Sequence, residues 1–315
     1  MIMSFSSEVK AELAANISTS RHCQLAELAA FFCFLGRVEE SENGGLRLGL
    51  QTENAAVQRK CFTLLKKTFN IDRNTWQLYD EEEKGHTYVI LTENSSEVNK
   101  ILQAVKIDEK DGLKKIGENG VNSLLIKNAC CKRAFLRGAF LCIGSMSDPG
   151  KSYHLEFVCT HKESAEQLKE LIQGFEVDAK IVIRKKYYVV YLKEGAGIVD
   201  LLNIMEAHKA LMNFENYRIV KEVRNSINRK VNCETANITK TVNASSKQIE
   251  DILLIRERYG FQNLPDNLRV TAELRLEYPD ATLKELGQIL SPSVGKSGMN
   301  HRLRKLSEMA DRIRS

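Results

Sequence analysis

Near the end of the chain, Lys296-Ser297-Gly298-Met299-Asn300-His301-Arg302-Leu303-Arg304-Lys305-Leu306 gathers side chains that can read a nucleic acid. Asn and Arg carry paired hydrogen-bonding groups that match base edges in a major groove. Lys supplies charge to phosphates, and a helix start adds free N–H groups. At about 100° per residue, Met299, Leu303 and Leu306 share one helical face. Ser297, His301 and Arg304 centre the opposite face, flanked by Asn300 and Lys305. Arg302 falls at the apolar edge, where it suits a phosphate better than a base. Lys296, at the helix start, is placed to hold phosphate. The plainer reading of the same residues is a helical hairpin with a solvated basic face.

That helix needs a brace, and the sequence supplies one. Thr282-Leu283-Lys284-Glu285 has the form of a capping box, in which Thr and Glu satisfy each other's backbone donors. The helix it opens is expected to carry Leu283, Leu286, Ile289 and Leu290 inward, with Gly287 small enough for close packing. Pro292 ends it, and Ser291-Pro292-Ser293-Val294-Gly295 makes a short turn into the basic helix. Residues 282–306 therefore fit a helix-turn-helix, with the second helix presented to a groove. Upstream, Lys247–Tyr259 is amphipathic, with Ile249, Ile252, Leu253, Ile255 and Tyr259 as its apolar stripe. Leu268–Tyr278 is a further helix, stopped by Pro279.

Charge is uneven along the chain. Residues 218–315 hold 18 Lys+Arg against 12 Asp+Glu, while the remainder holds 28 against 29. A basic tail behind a near-neutral body implies an anionic partner for the tail.

The body contains a repeat. Leu28-Ala29-Ala30-Phe31-Phe32-Cys33-Phe34-Leu35-Gly36 is echoed by Leu136-Arg137-Gly138-Ala139-Phe140-Leu141-Cys142-Ile143-Gly144, and Gly36 and Gly144 are 108 residues apart. Turns follow at Asn43-Gly44-Gly45 and Asp148-Pro149-Gly150. Then come alternating, strand-like runs, Leu46-Arg47-Leu48-Gly49-Leu50 and Tyr153-His154-Leu155-Glu156-Phe157. Helical periodicity follows over Val57–Phe69 and Ala165–Phe175, closing on Phe69-Asn70-Ile71-Asp72 and Phe175-Glu176-Val177-Asp178. A strand comes next in each half, Tyr88-Val89-Ile90-Leu91 and Tyr188-Val189-Val190-Tyr191. A helix then carries Val98, Ile101 and Leu102, matched by Ile198, Leu201 and Leu202. Several elements in one order indicate a duplicated domain.

Each glycine-ended helix resembles the LAGLIDADG helix of homing endonucleases. In that family two such helices lie side by side, and small residues let the backbones approach. Ala29, Ala30, Gly138 and Ala139 suit that purpose. An acidic residue just before the glycine binds the metal that activates water. Here those positions hold Leu35 and Ile143, and the other acidic positions of the motif hold Cys33 and Leu141. Aliphatic groups cannot replace the hard oxygen ligands of Mg²⁺. Glu39, Glu40 and Asp148 are expected beyond the helix ends in solvated turns. A metal-dependent endonuclease using them as displaced carboxylates is the competing reading. Arg184-Lys185-Lys186, ahead of Tyr187 and Tyr188, is a candidate phosphate contact or a solvated hairpin turn.

Other chemistries find little support. No apolar run approaches the ~18 residues a membrane helix needs, and the start lacks a signal-peptide pattern. Gly-Lys-Ser occurs at 150–152 and 295–297, but neither has the spacing of a P-loop. No G-x-S-x-G elbow occurs. His22, His86, His154, His161 and His208 show no ligand spacing and read as surface or packing residues. The eight cysteines form no C-x-x-C pair and read as buried, reduced thiols. The adjacent Cys130-Cys131 could be redox-active, with nothing else in the sequence to support it. No metal and no cofactor are expected.

Further motifs carry a closer resemblance. They are Ser4-Phe5-Ser6-Ser7-Glu8-Val9-Lys10-Ala11-Glu12-Leu13, and Arg137-Gly138-Ala139-Phe140-Leu141 with Gly144-Ser145 and Asp148-Pro149. Asn232-Cys233-Glu234-Thr235-Ala236-Asn237 with Lys240-Thr241, and the 296–306 helix, are the most specific. Over essentially its whole length the chain resembles the WhiA family. The resemblance implies a bacterial DNA-binding regulator tied to cell division, to chromosome segregation and, in sporulating lineages, to sporulation. The expected fold is α+β: a pseudo-twofold duplicated LAGLIDADG-like domain of helices and antiparallel sheets, then an all-α helix-turn-helix domain. The expected division is an N-terminal helix at 1–20, repeats at 21–115 and 116–218, a linker at 219–235 and the helical domain at 236–315. Double-stranded DNA is the expected partner, and a cytoplasmic, nucleoid-associated location follows from it. A third reading makes the duplicated domain a docking platform for another regulatory protein, with DNA held by the tail alone.

Overall fold

The computed structural model describes residues 4–41, 45–71, 73–81, 87–107 and 118–314. Asn43, Gly44, Asp72 and His86 lie outside the described residues, as does the expected boundary between 115 and 116. The chain divides into two compact units, 1–221 and 222–315.

The first unit starts with α1 (Phe5–Ala15), capped by the Ser4 side chain. The repeat then appears in both halves in one order. In the first half, α2 (Arg21–Leu35) leads into β1 (Gly36–Glu40), β2 (Leu46–Thr52), α3 (Ala55–Phe69), β3 (Trp76–Glu81), β4 (Thr87–Thr92) and α4 (Ser95–Ala104). In the second, α5 (Ala129–Ile143) leads into β5 (Gly144–Met146), β6 (Leu155–Cys159), α6 (Lys162–Gln173), β7 (Lys180–Arg184), β8 (Tyr187–Leu192) and α7 (Gly195–Ile204). Each half makes a four-stranded sheet, ordered β1-β2-β4-β3 and β5-β6-β8-β7, with antiparallel pairing throughout. The equivalent orders make the duplication explicit.

The helices α2 and α5 form the centre of this unit. Leu28, Ala30, Phe31, Phe32, Leu136, Ala139 and Phe140 are buried there. Both helices bury residues almost all round, as central helices must. Gly138 explains the close approach: a Cβ at that position would lie 2.9 Å from the Glu27 carbonyl oxygen and 2.9 Å from the Ala30 methyl. Gly36 and Gly144 close the two helices alike, donating their N–H groups to the Phe32 and Phe140 carbonyls.

A buried charge network lies along the same pair. Glu27 accepts from Lys60 Nζ at 2.5 Å and from Arg137 Nε at 3.1 Å. Arg137 Nη1 also reaches Glu206 Oε2 at 2.6 Å, and Asn16 donates to that oxygen at 2.9 Å. Lys60 donates to the Leu13 carbonyl at 2.7 Å, which ties α1 to α3. Burial lowers the Lys60 pKa, and the Glu27 charge opposes that shift.

The second unit takes in the greater part of α8 (His208–Arg258), a helix of 51 residues that runs through the division between the units. The segment expected as a linker, 219–235, is helical along its whole length. It contains no Gly or Pro to break the helix, and residues 222–244 are exposed, which accounts for their polarity. Next come α9 (Asp266–Glu277), α10 (Leu283–Ile289) and α11 (Lys296–Arg314). Their core holds Ile252, Ile255, Leu268, Ala272, Leu286, Met299, Leu303, Leu306 and Ala310.

Three side-chain expectations need correction. Leu253 and Tyr259 are exposed, because the stripe of α8 that turns inward runs through Asp251, Ile252 and Ile255. Asp251 is buried and paired with Arg314 Nη2 at 2.7 Å. Ile289 is 49% exposed, because α10 has only two turns and buries only Leu286 and Gly287 fully. Among the cysteines, 23, 61, 131 and 159 are buried, whereas Cys130 and Cys233 are exposed. Cys130 sits in the first turn of α5 and Cys233 on the solvated stretch of α8, where neither has a core to enter.

Candidate nucleic-acid interface

The cap of the brace forms as the sequence suggested, although Ile289 does not turn inward. Thr282 caps α10, its N–H donating to Glu285 Oε2 at 2.7 Å and its hydroxyl accepting from the Glu285 N–H at 3.4 Å. Those bonds lower the pKa of the exposed Glu285 carboxyl. The turn into α11 is tight. The Val294 N–H donates to the Gly287 carbonyl at 2.8 Å. A Cβ on Gly287 would lie 2.0 Å from the Val294 carbonyl oxygen, so the small residue serves the turn itself.

Helix α11 then divides cleanly by face. Met299, Leu303 and Leu306 are buried against α9 and α10. Lys296, Ser297, Asn300, His301, Arg304 and Lys305 are all exposed. The helix continues past Leu306 to Arg314, and that extension brings in a residue the sequence reading missed. Glu308 pairs with Arg304 Nε at 3.0 Å. The i,i+4 spacing of Arg304 and Glu308 is plain in the sequence, but the expected helix ends at Leu306, although Ala310 and Ile313 continue its apolar stripe. Arg302 is half-buried, and its Nη1 lies 3.5 Å from the Asn267 carbonyl oxygen. It is thus turned toward the start of α9, apart from the polar face.

Arg184, Lys185 and Lys186 form the tip of the β7–β8 hairpin, with Lys185 in the left-handed region at φ 56°. All three are exposed. Arg184 Nη1 pairs with Glu156 Oε2 at 3.2 Å, and the same oxygen lies 2.8 Å from His154 Nε2. Burial works to raise the Glu156 pKa, but the His154 bond and the Arg184 charge outweigh it and lower it. On the other sheet Arg47 pairs with Glu93. Lys186 lies 5.5 Å from the centre of the Tyr187 ring.

Leu35, at one of the positions expected to match the motif's acids, lines a cleft of about 940 Å³ with Phe34, Gly36, Leu141 and Gly144, the capping Ser4, and Ser6 and Lys10 of α1. Leu35 and Ile143 are half-buried in apolar surroundings. Glu39 and Glu40 lie in β1, opposite Arg47 and Leu46, and not in turns as expected. Asp148 does occupy a turn, and its Oδ1 accepts from the Gly150 N–H at 2.8 Å. The displaced carboxylates therefore do not converge on the cleft.

Fold and site together define a class: a duplicated LAGLIDADG-like body followed by a helix-turn-helix. Family models match in three consecutive parts: the WhiA N-terminal LAGLIDADG-like domain over residues 21–108, the WhiA LAGLIDADG-like domain over 132–224 and the WhiA C-terminal HTH domain over 227–310. The chain belongs to the WhiA family. It is 53% identical to the probable cell division protein WhiA of Lachnoclostridium phytofermentans, across 99% of this chain and 100% of the relative. It is 50% identical to the protein of the same name from Alkaliphilus oremlandii, across 99% and 98%. The crystal structure of full-length DUF199/WhiA from Thermatoga maritima matches with a TM-score of 0.59 at 25% identity, covering 98% of this chain and 99% of that one. Among the described residues no helix is long and apolar enough to cross a membrane.

Proposed function

We propose that this protein is a sequence-specific DNA-binding regulator of cell division that acts at the nucleoid without cutting DNA. The exposed polar face of α11 carries the reading. Asn300 and Arg304 would contact base edges, with Ser297 and His301 beside them, and Lys296 and Lys305 would hold phosphates. Arg302, drawn toward α9, would reach at most a phosphate. In this reading repeats 21–115 and 116–218 form the body, residues 236–315 carry the DNA contacts, and segregation is served through the genes or sites bound. The relatives' name supports the link to cell division, and the matched HTH domain supports DNA as the partner. Leu35 and Ile143 at the former acid positions support the non-enzymatic reading.

The test is a DNA titration at fixed salt with Asn300→Ala and Arg304→Ala. Each should lose about 1–3 kcal/mol of specific affinity and leave non-specific binding nearly unchanged. Unaltered specific affinity in the double variant would sink the assignment of α11. Incubation of supercoiled DNA with Mg²⁺ or Mn²⁺ should give no nicking. Cleavage that vanishes with Glu39, Glu40 or Asp148 substitution would restore the nuclease reading.

A further inference from the structure

The repeat places two pairs of metal-ligating residues at equivalent points. His22 and Cys23 are the second and third residues of α2, and Cys130 and Cys131 are the second and third of α5. Each pair is separated from its counterpart by 108 residues, the same offset as Gly36 and Gly144. Helical side chains lean toward the helix N-terminus, so the two pairs meet where the central helices begin. Sequence reading missed this because no local spacing links 22–23 to 130–131. Only the side-by-side packing of α2 and α5 brings them together.

The resulting cluster is compact. The ligand atoms of His22, Cys23, Cys130 and Cys131 all lie within 4.8 Å of one another, the sole such group of three or more His, Cys, Asp or Glu among the described residues. His22 Nδ1 is 3.3 Å from Cys23 Sγ, 3.3 Å from Cys131 Sγ and 4.0 Å from Cys130 Sγ. A tetrahedral zinc with Zn–S near 2.3 Å and Zn–N near 2.0–2.1 Å sets N···S edges at about 3.6 Å. The three observed distances bracket that value. Cys23 and Cys131 are buried beside Ala26 and Ala134, while His22 and Cys130 face solvent. A cation therefore has a way in, and an apolar floor closes the far side.

We propose that His22, Cys23, Cys130 and Cys131 form a structural zinc site that clamps the N-terminal ends of the two central helices. The donor set fixes the class of metal. Three sulfurs and an imidazole suit a borderline-soft ion and leave Mg²⁺ or Ca²⁺ without the oxygens they need. Four protein ligands fill the tetrahedron, which marks a structural site and leaves no open position for substrate. On binding, three thiols release their protons to solvent and three Zn–S bonds form, leaving a complex of net charge −1. Helix N-termini favour that negative charge. Burial and the neighbouring thiols push Cys23 up to about 12 and raise Cys131. Because three protons must leave, zinc uptake is expected to be pH-dependent. The site also lies at the opposite end of α2 and α5 from the former nuclease positions, about 18 Å away at 1.5 Å per residue. It joins the two repeats without touching the cleft.

The test uses the full chain purified under reducing conditions. Elemental analysis should find about one zinc per chain, falling several-fold in Cys130→Ser. Cys233→Ser, an exposed thiol elsewhere, should keep the wild-type content. Metal-free chain reloaded with Co²⁺ should show the intense visible bands of tetrahedral thiolate coordination. Should Cys130→Ser fail to fold by circular dichroism, the wild-type zinc content and cobalt spectrum decide alone. Wild-type protein without stoichiometric zinc and with a weak octahedral cobalt spectrum overturns the proposal. So does a Cys23–Cys131 disulfide in the reduced preparation.

Discussion

In the body of the chain, Lys60, Arg137, Arg47 and Arg184 turn to carboxylates of the same unit; on the polar face of α11, Lys296 and Lys305 turn to solvent. Lys60 and Arg137 meet Glu27 where α2, α3 and α5 pack together, and Arg137 also reaches Glu206. On the sheets Arg47 is matched by Glu93, and Arg184 by Glu156. On α11 no ion pair engages Lys296 or Lys305 among the described residues, and Arg304 is held only by Glu308 one turn away. The body is built of LAGLIDADG-like domains, and on its sheets Arg47 and Arg184 are paired within the unit. The difference teaches that a LAGLIDADG-like fold and an open basic face can belong to different units of one chain.

The largest expected effect attacks the body's side of that contrast. Glu27→Ala would leave Lys60 and Arg137, both almost wholly buried, without their shared carboxylate. Removing one partner of a buried ion pair costs about 3–5 kcal/mol. The only tryptophan, Trp76, is buried in this unit, so its fluorescence reports unfolding of the body. A urea titration should show that loss, while the helical signal of the tail persists to higher urea. A loss below about 1 kcal/mol would mean that the network is not what holds α2, α3 and α5 together.

The next effect asks which unit meets DNA. Every cation withdrawn from a phosphate should lower the slope of log affinity against log salt by about 0.9. Lys296→Ala with Lys305→Ala should therefore reduce the slope by nearly twice that amount. Alanine at Arg184, Lys185 and Lys186 together should change it by less than the single-phosphate amount, since Arg184 is already committed to Glu156. The reverse ranking would move the principal DNA-binding surface onto the sheets of the body and break the comparison.

Legibility in the sequence divides along the same line. Elements defined by local period were readable: the two glycine-ended helices, the strands after them, the Thr282 cap and the buried face Met299-Leu303-Leu306. Features set by distant packing were not. Nothing near Glu27 announces that Lys60 and Arg137 meet it, because the three sit on α2, α3 and α5. His22 looked like a surface histidine until α5 brought Cys130 and Cys131 alongside. Segment 219–235 looked like a linker because its side chains are solvated, although its backbone is regular helix. Ile289 and Leu253 had the right period but fell at a helix end and a stripe edge, where period does not decide burial.

The smallest effect is the sharpest in sign. Arg304 must leave Glu308 to reach a base, and both side chains are largely exposed, at 76% and 53%. An exposed i,i+4 pair is worth about 0.3–0.5 kcal/mol, so the exchange is cheap but not free. Glu308→Gln removes that competitor, and with it a negative charge that repels phosphate. Specific affinity should therefore rise about twofold at low salt, and the gain should shrink as salt screens the pair. Glu308→Gln combined with Arg304→Ala should keep no more than the general charge benefit. Weaker binding in the single variant would show that Glu308 positions Arg304 for DNA instead of restraining it, and the tail would then use paired charge as the body does.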